Sequence, residues 1–304
     1  MKLFYSPAYV GSGYAFDTTR KAMWIADDVE RRPIRGVELA PPEPLSWDDL
    51  VRVHDVRYVQ AVQTGTRRDL AESQGFPWDP GLWPMVLATN GGAVAAARQA
   101  LESGVAGSLS SGMHHARRER GVGFCTFNGL AIAAREALSA GAGAVLILDL
   151  DAHCGGGTAS LIVGDPRIWQ IDVPVCDFDA YREGPRAWLR LVVEASEYLG
   201  EIERALQDAR RAGPRFDLCL YNAGMDPFEE CSIGGLDGIT REILAARERL
   251  VFDWCREAGT AVAFFPAGGY VSPGLDRATL VGLHRLTVAA AAGHAEPATT
   301  QPPR

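Results

Sequence analysis

The chain is short of several things, and each shortage closes a route. Its 304 residues include 6 cysteines, scattered and without a C-x-x-C pair. That argues against a disulfide-stapled scaffold and leaves free thiols in a reducing cytoplasm as the expectation. No block of Lys and Arg stands out, and the net charge is -8. A nucleic-acid partner held through its phosphates needs a concentrated basic face, so none is expected. No apolar run approaches the ~20 residues of a membrane span, so no membrane partner is expected either. The opening Met1-Lys2-Leu3-Phe4-Tyr5 lacks the apolar core and cleavage site of a signal peptide and reads as a first strand. Internal repeats, linkers and low-complexity blocks are missing too. The expectation is one domain over 1–292 and a disordered, Pro-rich polar tail over 293–304.

What is present is a large apolar fraction, 47%, arranged in alternating strand and helix patterns. Short apolar runs over 145–149, 168–173, 216–221 and 261–265 suit strands buried on both faces. Between them lie helical stretches, predicted over 17–29, 92–102, 128–140, 187–211, 240–257 and 275–291. In the fourth of these, Leu189, Val192, Leu199, Ile202 and Leu206 fall at helical spacing. Residues 33–47 and 75–84 read as irregular. This alternation predicts an α/β fold with a single open, mostly parallel sheet covered by helices on both faces.

Chemistry sits just past three of the strands. The first is Asp149-Leu150-Asp151-Ala152-His153, followed by Cys154 and three glycines. Alternate side chains of an extended segment point the same way, so Asp149, Asp151 and His153 can converge where open α/β sheets bind ligands. A capped strand end with hydrogen-bonded Asp residues would explain this stretch alone equally well. The second strand end carries Asp226 and the third Tyr270. Asp151, His153 and Asp226 make three ligands with a fourth position open, the catalytic pattern for zinc, and Asp149 would stand behind them as an acceptor. His114 and His115 supply imidazoles for proton transfer. Tyr270 could donate to a developing oxyanion.

Taken in order, Ser111-Gly112-Met113-His114-His115-Ala116, Gly123-Phe124-Cys125-Thr126-Phe127-Asn128, Asp149-Leu150-Asp151-Ala152-His153, Ala223-Gly224-Met225-Asp226 and Gly268-Gly269-Tyr270 resemble the motifs of the zinc-dependent histone deacetylase superfamily, which includes acetylpolyamine amidohydrolases. Val53-His54-Asp55-Val56-Arg57-Tyr58-Val59 resembles its N-terminal VHxxxYV segment. The resemblance implies the arginase/deacetylase fold and hydrolysis of an acyl-lysine or acylpolyamine amide. It implies zinc on Asp151, His153 and Asp226, although iron(II) or cobalt would also suit such a site, and a potassium ion near Asp149. His115 would be the main proton shuttle, His114 its electrostatic partner and Tyr270 the carbonyl polariser. Gly123, Phe124, Gly268 and Gly269 would line the substrate site, and Arg20 would match the arginine of an acetate-release cavity. The oligomeric state is open, a homodimer being compatible.

Two departures stand out. The superfamily's N-terminal His-Pro motif is absent. Gly156 occupies the position of the Asp or Asn that orients the proton-shuttling His. His115 is therefore expected to be looser or less basic, oriented by water or by a residue the sequence does not reveal. Three rivals follow. A binuclear manganese ureohydrolase needs carboxylates where Gly155 and Gly224 stand. A thiol hydrolase on Cys125 or Cys154 lacks an orienting set. A catalytically silent acyl-ligand binder would keep the fold without turnover.

Overall fold

The structure, a computed structural model, describes residues 1–14 and 17–295. Eight strands form one sheet: β1 (Lys2–Phe4), β2 (Glu38–Ala40), β3 (Val105–Ser108), β4 (Val145–Asp149), β5 (Ile168–Asp172), β6 (Ala187–Leu189), β7 (Leu218–Gly224) and β8 (Ala261–Ala267). Their spatial order is β2-β1-β3-β8-β7-β4-β5-β6, and each neighbouring pair is parallel. Parallel strands need crossovers, and the helices that make them cover both faces.

Strand periodicity divides the core in two. Leu146 and Leu148 of β4, Cys219 and Tyr221 of β7 and Val262 and Phe264 of β8 face one layer, against Ile25, Ile202, Phe252 and Leu283 of four helices. The alternate residues Val145, Ile147, Leu218, Leu220, Ala263 and Phe265 face the other, against the helices Leu82–Ser103 and Gly129–Ser139. Burying each large aliphatic here is worth about 1.5–3 kcal/mol, so the central strands are fixed in register by both faces at once.

The helices start where the sequence caps them. Ser46 forms a capping box with Asp49, Asn128 accepts from the Ala131 amide, and Thr240 accepts from that of Ile243. The predicted helix over 187–211 needs correction. Residues Ala187–Leu189 are edge strand β6, and the helix covers only Ala195–Ala212. Leu189 and Val192 mimic the helical spacing, but the main chain of this segment pairs with β5 instead. Strands β2 and β3 were not foreseen. Each is only three or four residues long, and β3 is Val-Ala-Gly-Ser, which carries little strand signal. The helix expected over 92–102 begins ten residues earlier, at Leu82, with Pro84 tolerated in its first turn. The last helix runs over Arg277–Ala295; of the expected tail, 296–304 lie outside the described residues. No helix among the described residues is long and apolar enough to cross a membrane.

Candidate active site

Because the sheet is parallel, the carboxyl ends of β3, β4, β5, β7 and β8 open onto one edge. The loops leaving those ends build the site. They carry unusual backbone: Ser111, Met113, Phe124 and Asp179 all have positive φ, a conformation that costs a non-glycine residue free energy and clusters at functional sites.

The floor comes from β4 and β7. Among the described residues, Asp151, His153 and Asp226 can each offer a ligand atom within 4.8 Å of the others. Main-chain amides fix two of the carboxylates. Asp151 Oδ1 accepts from the His153 amide at 3.1 Å and Asp226 Oδ1 from the Ala152 amide at 3.0 Å. Asp226 Oδ2 is buried, 3.1 Å from His153 Nδ1, and accepts no hydrogen bond. A buried carboxylate oxygen left unsatisfied is costly, and a cation would remedy it. The imidazole says the same. Burial opposes protonation of His153, yet Asp151 and Asp226 hold its pKa up at about 11. The cluster is thus short of positive charge, and its donor set fits a divalent metal. Gly268, at φ 53°, approaches Asp226 so closely that a side chain there would overlap the carboxylate.

Beneath the floor, Asp149 Oδ1 accepts from Asn222 Nδ2 at 2.8 Å and from the Asp151 amide at 3.2 Å. Asp149 Oδ2 accepts from His114 Nδ1 at 2.7 Å. Burial opposes the charge on His114, but Asp149 and Asp151 raise its pKa to about 10. The His115 ring lies against that of His114, with centroids 3.9 Å apart and planes tilted by 41°, and lies 6.0 Å from the His153 ring. Burial and then the neighbouring His114 push the His115 pKa down to about 4, against the pull of Asp179 and Asp151. A close pair of imidazoles whose basicities are driven in opposite directions suits proton transfer.

His115 is not loose. Its Nδ1 lies 3.0 Å from Oδ2 of Asp179, a residue the sequence reading did not name. Asp179 sits on the loop after β5, its side chain only 5% exposed. Its other oxygen pairs with Arg117, and the Gly157 amide donates to Oδ2 at 3.1 Å. Of the alternatives that Gly156 left open, a looser His115 is not what the structure shows: the ring is less basic than a free imidazole, and its orienting contact comes from a residue the sequence does not reveal, Asp179.

The walls are loops pinned from behind. The buried His54 pairs through Nδ1 with the Arg117 carbonyl at 2.9 Å, and its Nε2 accepts from the Asn128 amide at 3.1 Å. The Tyr58 hydroxyl donates to the Thr126 carbonyl at 2.7 Å. The His and Tyr of the VHxxxYV segment therefore brace the loops that carry the dyad and Phe124. Gly123 abuts the His115 ring, where a Cβ would come within 2.5 Å, and Phe124 stacks on Phe76 at 5.1 Å. Phe178, 47% exposed, presents its ring to both His115 and His153. Tyr270 is buried at the end of β8, where burial and then the charges of Asp226 and Asp151 push its hydroxyl pKa well up. A side chain at Gly269 would meet Leu280 rather than Asp151, His153 or Asp226. Arg20 does not enter an interior cavity. It is exposed on the helix Asp17–Arg31, and its neighbour Lys21, one step round the helix, is the buried cation. Burial raises the pKa of Cys125 to about 12 and that of Cys154 higher still, so neither is an activated thiolate.

A profile of the histone deacetylase domain matches residues 16–181. The chain belongs to the histone deacetylase family. It is 36% identical to an uncharacterized protein of Picosynechococcus sp. over 231 residues, which are 74% of this chain and 75% of that one. It is 31% identical over 255 residues to a protein of Arabidopsis thaliana named histone deacetylase 2, a match covering 77% of this chain and 64% of that one. Among solved structures, an acetylpolyamine aminohydrolase from Burkholderia pseudomallei superposes with a TM-score of 0.78, covering 97% of this chain and 98% of the other at 17% identity. This deacetylase-family chain has the α/β fold that its sequence motifs imply.

The family motifs mark His114, His115, Asp151, His153 and Asp226, and the fold brings these five together. It adds Asp179 and Arg247, which sequence reasoning missed, and gives a role to Asn128, which the motifs include without one. Asn128 Nδ2 donates to the His114 and Ala116 carbonyls, both at 3.2 Å. The fully buried Arg247 donates to the Leu150 carbonyl at 3.3 Å and the Gly224 carbonyl at 2.7 Å, joining the strand ends that lead to Asp151 and Asp226.

Proposed function

We propose that the chain is a metal-dependent amidohydrolase that removes an acetyl or other acyl group from an amine of the acyl-lysine or acylpolyamine type. The observation that carries this is the buried Asp151, His153 and Asp226 cluster with two adjoining imidazoles beside it, each paired to its own carboxylate. Zinc is the ion we assign, held by those three side chains. A divalent ion in such a site polarises a carbonyl and lowers the pKa of water.

The chain's own groups do the rest. His115 keeps Nδ1 on Asp179, which leaves Nε2 to take the proton of the attacking water. Tyr270 donates its hydroxyl to the oxygen that becomes negative in the tetrahedral state. His115 then returns its proton to the leaving amine, and the charge on His114, set by Asp149, stabilises that transfer. Phe124 and Phe178 guide the acyl chain and exclude water. Gly123, Gly268 and Gly269 bring main chain close to it. A potassium ion near Asp149 completes the reading, in keeping with the second buried carboxylate, Asp172, whose proximity to Asp149 pushes its pKa up after burial. The six cysteines are free, in keeping with work in a reducing cytoplasm.

The test is to load the protein with zinc, iron(II) or cobalt and assay it against acyl-lysine peptides and acylpolyamines while counting metal. One ion per chain and turnover of an acylamine are expected. Two ions per chain would favour a ureohydrolase. One ion with no turnover of any acylamine would favour a silent acyl-ligand binder.

A further inference from the structure

Each imidazole of the pair needs a partner on Nδ1. That partner fixes the tautomer, aims the ring and leaves Nε2 free for chemistry. His114 has Asp149, two positions before a metal ligand on the same strand end. His115 has no acceptor nearby in sequence, and Gly156 can offer no side chain. The acceptor comes from elsewhere. Asp179 lies on the loop that leaves β5, and three donors surround it: His115, Arg117 and the Gly157 amide.

The surroundings look built for this contact. Asp179 has φ 61°, a left-handed conformation that Asp tolerates better than most residues but still pays for. At this turn Phe178 meets the His115 and His153 rings while Asp179 is buried. Arg117, two residues after His115, holds Asp179 with one nitrogen and donates to the Gly156 carbonyl at 3.2 Å with another. The glycine at 156 is also explained. A Cβ there would overlap the Asp179 carbonyl oxygen and come within 2.8 Å of Asp179 Oδ1. Position 156 can be empty, or Asp179 can be displaced, but the two side chains cannot share the space.

We propose that Asp179 is the positioning residue for His115, its carboxylate having taken over from another loop the role that a side chain at position 156 would play, with Gly156 and Arg117 as the conditions for its placement. This rests on the reading of His115 as the proton shuttle. It makes the loop after β5 part of the catalytic apparatus: Phe178 shapes the entrance and Asp179 aims the base, so any movement of the loop alters both together.

The experiment uses the zinc-loaded full chain and three variants. Asp179→Gly removes the carboxylate without straining a backbone of positive φ. Asp179→Asn keeps an acceptor at the same place. Gly156→Ala leaves the carboxylate in the chain but pushes it aside. With metal content unchanged at one per chain, Asp179→Gly and Gly156→Ala should lower kcat about 10–100-fold with KM within a few-fold, and Asp179→Asn should recover most of the loss. Proton NMR supplies the second readout. The His115 Nδ1–H resonance, identified by its loss in His115→Ala, should be visible at low field in wild type and Asp179→Asn, and absent in Asp179→Gly. A kcat for Asp179→Gly within two-fold of wild type, or no low-field resonance in wild type, would overturn the assignment. If wild type turns over no acylamine yet the resonance follows Asp179 as described, the hold of Asp179 on His115 stands and the reading as an enzyme falls instead.

Discussion

The two imidazole–carboxylate pairs share their chemistry and differ in their construction. His114 pairs with Asp149, a residue locked into β4 by ladders to β5 and β7 on either side. His115 pairs with Asp179, which stands on a loop and is held by an arginine and one amide. The first pair has its carboxylate on the sheet beneath the floor, where the ladders set its position. The second belongs to the wall, where a few side-chain contacts do. A floor built this way leaves little freedom to relocate a group. A wall lets a carboxylate move from one loop to another while the base it serves stays in place.

The largest expected effect is on the floor. Asp226→Ala removes a ligand and leaves two, so metal and activity should be lost together. Elemental analysis after dialysis checks this, and stoichiometric metal retained in the variant would contradict the ligand set. Next comes Tyr270→Phe, which takes away one hydroxyl and little volume. Its kcat should fall by roughly 10²–10³-fold, the usual cost of losing an oxyanion donor, with metal unchanged; a few-fold effect would mean the hydroxyl does not face the reacting carbonyl.

The smallest effect is on stability and tests how the wall is anchored. His54 is buried and braces the turn after His115. Burial is the leading cause that lowers its pKa to about 4, against the 6.5 of a free imidazole. The unfolded chain therefore binds the proton first as pH falls, so this contribution is present above pH 6.5 and lost progressively between 6.5 and 4. The difference corresponds to about 3 kcal/mol as an upper bound. Urea unfolding of wild type should show a steeper loss of stability over that range than His54→Gln; equal slopes would mean that His54 is not the group responsible.

This contrast also explains what could be read beforehand. Floor residues announce themselves because strand periodicity ties neighbours in sequence to neighbours in space: Asp149, Asp151 and His153 alternate along one segment, and Asp226 follows an apolar run. Asp179 gives no such signal. In Asp177-Phe178-Asp179 either carboxylate could have been the inward one, and only the contacts of Asp179 with His115 and Arg117 in the folded chain tell them apart. Nor could the sequence say that β5 lies next to β4, which is what brings its loop to His115. The residues 187–189 misled for a related reason. Edge strand β6 is defined by its pairing with β5, and a three-residue strand has too little pattern to outweigh an accidental helical spacing. Buried Arg247 lies within the helix predicted over 240–257, but nothing in sequence shows that carbonyls at two strand ends await a donor there.

The position of β8 has a consequence for how the molecule comes into being. β8 is the last of the eight strands along the chain, yet it lies near the centre of the sheet, between β3 and β7. As the chain leaves a ribosome, β1, β2 and β3 emerge with no route into the main body of the sheet. β4, β5, β6 and β7 can assemble only their own half. The halves join when residues 261–267 arrive, through contacts spanning more than 150 positions between β3 and β8. Closing such long loops is slow, and exposed strand edges must wait meanwhile. Tyr270 lies three residues past the end of that strand, so the group assigned to hold the oxyanion arrives at nearly the same moment as the strand that closes the sheet.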